Sequence, residues 1–202
     1  MNYLAHAYLS FNKPELLVGN MISDFVKGKK KFDYPQGIQK GIALHRAIDT
    51  FTDEHAVIKE AKEVFRSDYR LYAGALVDVV FDHFLATDTQ HFSHESLKVF
   101  AGFTYETLNH HRAVFPERFA RMFPHMQQQD WLYHYHSRWG IEKSLGGVVR
   151  RSAYLTESET AFRLFEEYYE ELKKKYDLFF PDLFLYVKSR ITELNEGSDE
   201  EG

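Results

Sequence analysis

The chain has 202 residues, 44% hydrophobic and 27% charged, with a formal net charge of −5 and no cysteine. That length supports one domain with a substantial core, and the missing cysteine excludes disulfides, thiolate nucleophiles and cysteine-ligated zinc, so any metal must use His, Asp or Glu. The acidic balance argues against a surface given over to nucleic acid, and no apolar run approaches the roughly 20 residues of a membrane span or a leader, so the expected protein is cytoplasmic, with neither nucleic acid nor a membrane as partner.

With 13 Tyr and 18 Phe to fill a core, only five Pro and eleven Gly, and no strand pair joined by a hairpin turn, the composition favours an all-α fold. Asn2 is placed to cap a first helix through Leu4, Ala5, Tyr8 and Leu9, which carries His6 and ends at Asn12-Lys13-Pro14. Pro14 suits the first turn of a second helix through Leu16, Leu17, Met21, Ile22 and Phe25, with Asn20 and Asp24 one turn apart. Lys27, Lys29, Lys30 and Lys31 then form a Gly-interrupted basic loop, whose plainest reading is a solvated turn.

Ile38, Ile42, Leu44, Ile48 and Phe51 predict a third helix, with His45 and Asp49 at i, i+4 facing one direction. A short helix through Ala56, Ile58 and Val64 follows, and then the run Leu71–Leu85, in which Leu71, Ala75, Asp78, Asp82 and Leu85 share one stripe. That stripe would bury Asp78 and Asp82, which demands cations, donors or a metal beside them. Further helices are expected over Glu95–His111, between Pro116 and Pro124, and from Trp131 until Gly146-Gly147 breaks the run. Arg150 and Arg151 follow as adjacent forks suited to phosphate or to acidic groups. An amphipathic helix over Glu157–Tyr176 is interrupted by Asp177 and Pro181, and a last helix spans Leu183–Leu194. The expected organisation is one catalytic domain over 1–195 and an acidic flexible tail at 196–202.

Candidate ligands therefore stand on several helices: His6, Asp24, His45 and Asp49, and Asp78, Asp82 and His83. Bundles build metal sites from side chains projecting inward on facing helices, and an i, i+4 pair can reach a shared centre. A set of nitrogen and oxygen donors rich in carboxylates suits manganese or magnesium, and also iron or zinc. Such a centre can activate water and neutralise phosphoryl charge, and Arg46 could hold a phosphate through its planar fork. The competing reading is a buried ion-pair network in which Arg46 pairs with Asp49 or Asp78.

The segments Met1-Asn2-Tyr3-Leu4-Ala5-His6, Gly19-Asn20-Met21-Ile22-Ser23-Asp24-Phe25-Val26, Gly41-Ile42-Ala43-Leu44-His45-Arg46-Ala47-Ile48-Asp49 and Asp78-Val79-Val80-Phe81-Asp82-His83-Phe84-Leu85 resemble the acyl-carrier-protein phosphodiesterase family, joined by Gly147 to Arg151. The resemblance implies a helical bundle like the HD-domain phosphohydrolases. It also implies removal of the 4'-phosphopantetheine arm from holo acyl carrier protein with a divalent cation, Mn2+ foremost. By position it implies Asp24, His45, Asp82 and His83 as metal ligands, with His6, Arg46, Asp49 and Asp78 as catalytic groups touching the metal or its ligands. The HD signature places His before Asp, whereas here the adjacent pair is Asp82-His83.

Acyl carrier proteins are acidic, so Lys27, Lys29, Lys30, Lys31, Arg150 and Arg151 are the expected docking residues. Two other readings stay open from the residues: a metal-dependent phosphohydrolase acting on a nucleotide or another small phosphodiester, and a non-catalytic helical binding protein.

Overall fold

The run from Ala73 to Thr87 is apolar on nearly every side, and a helix of that kind belongs in the interior. It lies at the centre of the fold, with Leu76, Val77, Val79, Val80, Phe81, Phe84 and Leu85 fully buried. The computed structural model describes residues 1–196, and no strand occurs among them. In chain order the helices are α1 (Tyr3–Tyr8), α2 (Pro14–Ile22), α3 (Gln36–Glu54), α4 (Ala56–Tyr69), α5 (Ala73–Thr87), α6 (His94–His110), α7 (Glu117–Gln128), α8 (Trp131–His134), α9 (Arg138–Arg151), α10 (Glu159–Glu167) and α11 (Tyr169–Glu196). Short 3-10 turns at Ser23–Phe25, Gly28–Asp33, Arg70–Tyr72 and Arg112–Val114 bend the connections. Helices α1, α4, α9 and α11 pack around α5, and the long α11 also covers α3 and α4.

Local chemistry sets the ends. The Asn2 side chain accepts the Tyr3 amide to cap α1, Pro14 opens α2, Ser93 and Ser96 form a reciprocal capping box on α6, and the Ser137 hydroxyl accepts the Gly140 amide to start α9. One hydrophobic cluster runs through the molecule, and its densest part is aromatic: Phe81 meets Tyr176 edge-on, and Phe84 packs on Tyr169.

Helices α2 and α3 make the closest pairing, and two glycines permit it. A Cβ on Gly19 would stand 2.1 Å from the Ile38 carbonyl oxygen, and one on Gly41 would stand 2.3 Å from that of Leu16. Any larger residue at either position must drive the two backbones apart.

The all-α expectation holds, and several helix bounds move for identifiable reasons. Gly146-Gly147 does not break α9, because Ile141, Leu145, Val148 and Val149 on the same helix are buried, and packing outweighs a glycine cost of about 1 kcal/mol per residue. Pro124 lies inside α7 and Pro181 inside α11. In α11, Tyr176, Phe179, Phe180, Leu183 and Val187 bury on both sides of the proline, which offsets its penalty of about 3 kcal/mol. The central helix begins at Ala73, after Arg70 turns the chain with φ of 44°, so Leu71 is exposed and the expected stripe is buried only in its second half. All of the tail expected at 196–202 except Glu196, which ends α11, lies outside the described residues.

Replacing Gly41 with Ala is expected to lower unfolding stability by about 1–3 kcal/mol, the usual range for overpacking. Gly102→Ala in α6, where a new Cβ meets nothing within 4 Å, should instead stabilise by about 0.5–1 kcal/mol. Urea unfolding of both variants checks the pair; equal effects would show that the α2–α3 approach imposes no constraint.

Candidate metal centre

The glycine-permitted approach of α2 and α3 brings Asn20, next to Gly19, against His45, one turn beyond Gly41. Asn20 is fully buried, and each polar group it offers to the site is used. Its carbonyl oxygen accepts the His45 Nδ1 proton at 2.8 Å. Its side-chain Nδ2 donates to the His6 carbonyl at 2.8 Å and to Ser10 Oγ at 3.1 Å. Its Oδ1 lies 2.8 Å from His6 Nδ1. Since the amide nitrogen is committed elsewhere, Oδ1 is an acceptor and His6 Nδ1 carries the proton. Both imidazoles are thereby fixed in one tautomer, with Nε2 turned the other way.

The two Nε2 atoms converge on Asp49. The rings of His6 and His45 stack at 4.0 Å between centroids, with Asp49 Oδ1 3.3 Å from His6 Nε2 and Asp49 Oδ2 3.1 Å from His45 Nε2. Asp24 Oδ1 approaches His45 Nε2 at 3.1 Å from the more exposed side. One ligand atom each from His6, His45 and Asp49 lies within 4.8 Å of the others.

The electrostatics show what this arrangement lacks. Burial pushes His6 below its ordinary pKa, helped by His45 and only partly opposed by Asp49, so His6 is neutral and Nε2 bears a lone pair. That lone pair faces an oxygen of Asp49, whose carboxyl burial would raise but which the hydrogen bond from His45 holds well below the usual carboxylate range. Burial would also lower His45, yet the hydrogen bonds to Asp24 and Asp49 and their charges lift it to about 9. Asp24 is drawn down by its hydrogen bond with His45 against a smaller burial effect. Facing acceptors that share anionic charge are what a divalent cation would satisfy, and the donor set of imidazole and carboxylate fits Mn2+, Fe2+ or Zn2+. A bound cation and the His45 proton would compete for the same space.

The other sequence-derived candidates lie elsewhere. Asp82 is fully buried and places no ligand atom in this group; its carboxylate accepts the amides of Asn2 at 3.1 Å, Leu4 at 2.7 Å and Ala5 at 3.3 Å, closing the start of α1. His83 also stands outside the group: Nδ1 donates to the Tyr135 carbonyl at 2.7 Å, and the ring meets Phe165 edge-on. Asp78 accepts from the Met1 amino group at 2.9 Å, with its side chain 31% exposed, so the two aspartates do not share a buried face. Arg46 is exposed and donates through Nη2 to the Val26 carbonyl at 3.0 Å, which ties the segment after Asp24 to α3 instead of forming an ion pair with Asp49 or Asp78. Lys27, Lys29 and Lys30 are exposed and Lys31 half-buried around the turn Gly28–Asp33, with the Lys31 ammonium over the Phe32 ring. Arg150 and Arg151 are exposed in the last turn of α9.

Asn20 was visible in the sequence only as a polar residue one turn before Asp24. The signal that could have found it is the Gly19-Asn20 and Gly41 spacing, in which a small residue marks close backbone approach and the neighbouring amide falls between helices.

The fold and this cluster define an all-α protein with an imidazole–carboxylate site suited to a metal ion. The family model described as "Acyl carrier protein phosphodiesterase" matches residues 1–183, and the chain belongs to that family. It is 30% identical over 191 residues to the acyl carrier protein phosphodiesterase of Enterobacter sp. (strain 638), covering 94% of this chain and 99% of that protein. It is 31% identical over 194 residues to the protein of the same name from Klebsiella pneumoniae (strain 342), with the same coverage. The Photorhabdus laumondii protein of that name is 30% identical over 182 residues, covering 90% of this chain and 92% of its own. No solved structure matches the chain significantly.

Burial raises the Asp82 carboxyl from 3.8 to about 7, with the Met1 ammonium and the three amides opposing. The folded state thus holds a proton that the unfolded chain has released, so the contribution of Asp82 to stability falls as pH rises through this window. Asp82→Asn should therefore gain stability relative to the parent between about pH 4 and 7, at up to about 1.4 kcal/mol per pH unit. Urea unfolding at pH 5 and 8 measures the difference; an offset that does not change with pH would contradict a protonated, buried Asp82.

Proposed function

We propose that this protein hydrolyses the phosphodiester joining 4'-phosphopantetheine to a serine of holo acyl carrier protein, in the cytoplasm, with a divalent cation held by His6, His45 and Asp49. The observation that carries the reading is the convergence of two imidazole Nε2 atoms and one carboxylate within 4.8 Å in a chain of this family. Mn2+ is the cation we favour because the family resemblance implies it, and two imidazoles with one carboxylate also suit Fe2+ or Zn2+.

A cation bound there supplies Lewis-acid neutralisation of a phosphoryl oxygen and activation of water. The protein's own contribution is orientation and proton handling. Asn20 holds both rings so that Nε2 is presented as a donor, which is the outer support that metal-ligating histidines ordinarily require. Asp24, whose side chain is 63% exposed at the edge of the cluster, would accept a proton from the attacking water in this reading. The exposed Lys27, Lys29 and Lys30 begin three residues after Asp24 and give an acidic carrier protein a basic surface beside the site, in a chain that is acidic overall. In this reading Asp82 and His83 hold the walls of the site, Arg46 secures the segment bearing Asp24, and residues 1–195 act as a single catalytic unit.

Incubation with Mn2+ and holo carrier protein should convert the carrier to the apo form, lighter by the arm, with the mass read directly. His45→Ala should lower the rate by at least about 100-fold, the upper range for loss of even outlying partners of a metal ligand. An unchanged carrier mass with stoichiometric Mn2+ bound would overturn the substrate assignment.

A further inference from the structure

A cleft of about 600 Å³ opens between the start of α1 and helices α7, α8 and α9, and none of the groups discussed so far accounts for it. Its walls are largely apolar: Tyr3, Met122, Trp131, Tyr135 and Trp139 line it. Its cations are Lys143, Arg150 and Arg151, with His125 and His134 also in the lining, and among the described residues no acidic side chain lines it. A volume in the range of small-molecule sites, an apolar wall and one cationic end describe a receptor for an elongated neutral chain carrying an anion.

The cleft adjoins the metal cluster through Tyr3. Tyr3 lines the cleft and stands one turn before His6 on α1, so the cleft and the cluster are carried by the same short helix. The same two residues that fail to join the cluster build this wall: Asp82 closes the backbone at Asn2–Ala5, and His83 holds the Tyr135 carbonyl. A second depression, about 640 Å³ beside α4 and α5, is lined by mixed charges, with Lys62 paired to Asp53 and Arg66 to Glu63, and has no aromatic side chain in its lining.

We propose that this cleft binds the pantetheine arm, a flexible chain of amides ending in a thiol, with the apolar wall along the chain and Arg150 and Arg151 on its phosphate. This inference rests on the proposed function. It assigns the arginine pair to the arm's own phosphate, not to acidic residues of the carrier surface, and leaves that surface to the lysine turn. Guanidinium forks suit a phosphate oxygen pair, and aromatic faces suit planar amides.

The chain contains two tryptophans, Trp131 and Trp139, and both line the cleft, so intrinsic fluorescence reports on it without any reaction. Titration of the Mn2+-loaded protein with 4'-phosphopantetheine should change the emission saturably. A side chain added at Gly147, whose Cβ would meet only the Arg151 and Arg150 guanidiniums at 3.6 and 3.7 Å, would project among the cleft's cations. Gly147→Leu should weaken binding at least about tenfold and raise KM for holo carrier protein to match, with Mn2+ affinity unchanged. Arg151→Ala should weaken 4'-phosphopantetheine about tenfold and leave pantetheine, which lacks the phosphate, unaffected. No saturable response, or a response that Gly147→Leu leaves intact, would overturn the assignment. If holo carrier protein is not cleaved but the arm still binds with these shifts, the cleft stands and the diesterase reading falls.

Discussion

The candidate site depends on one buried amide. Asn20 takes the Nδ1 proton of His45 on its backbone oxygen and that of His6 on its side-chain oxygen, while its amide nitrogen holds the chain on which His6 sits. Leaving a buried amide unpaired would cost about 1–3 kcal/mol, so the bonds that orient the histidines also stabilise the fold. The arrangement is possible only because Gly19 and Gly41 let two helix backbones approach closely enough for a main-chain carbonyl to reach an imidazole on the neighbouring helix. Sequence, packing and site geometry meet at that crossing.

The central helix α5 has a different part. Its polar turn, Asp82-His83, reaches in two directions, one residue closing the amides at the start of α1 and the other holding the carbonyl of Tyr135 beyond α8. His6 is on α1, four residues after the first capped amide, so Asp82 positions a member of the cluster without touching it. A buried carboxylate raised to about 7 is tolerated because the amides and the Met1 ammonium oppose its burial. In the structure the adjacent pair bonds to backbone on both sides, Asp82 to the start of α1 and His83 to the Tyr135 carbonyl.

The helical class, the central place of α5 and the pairing of His45 with Asp49 were legible in the sequence, because each follows from residues three or four apart on one helix. His6 and Asp24 were legible as candidates because each is a metal-ligating side chain on an otherwise apolar helix pattern. Hidden were the facts set by contacts between helices. The stripe rule put Asp78 and Asp82 on one buried face, but that face is covered only toward the end of α5, so Asp82 is fully buried while Asp78 is part-exposed beside the Met1 ammonium. Gly146-Gly147 and Pro181 read as breaks since their local cost is certain, whereas the burial that overrides it is contributed by residues distant in sequence. Periodicity likewise cannot say whether a buried aspartate faces a metal or three backbone amides. The role of Asn20 was invisible for the same reason.

The most direct test of this account is anomalous diffraction from crystals grown with Mn2+. The account places the manganese peak between His6 Nε2, His45 Nε2 and the Asp49 carboxylate, at ordinary coordination distances of about 2.0–2.3 Å, with Asn20 still bonded to both Nδ1 atoms. A peak on Asp82 and His83, with His6 and His45 left unligated, would contradict it.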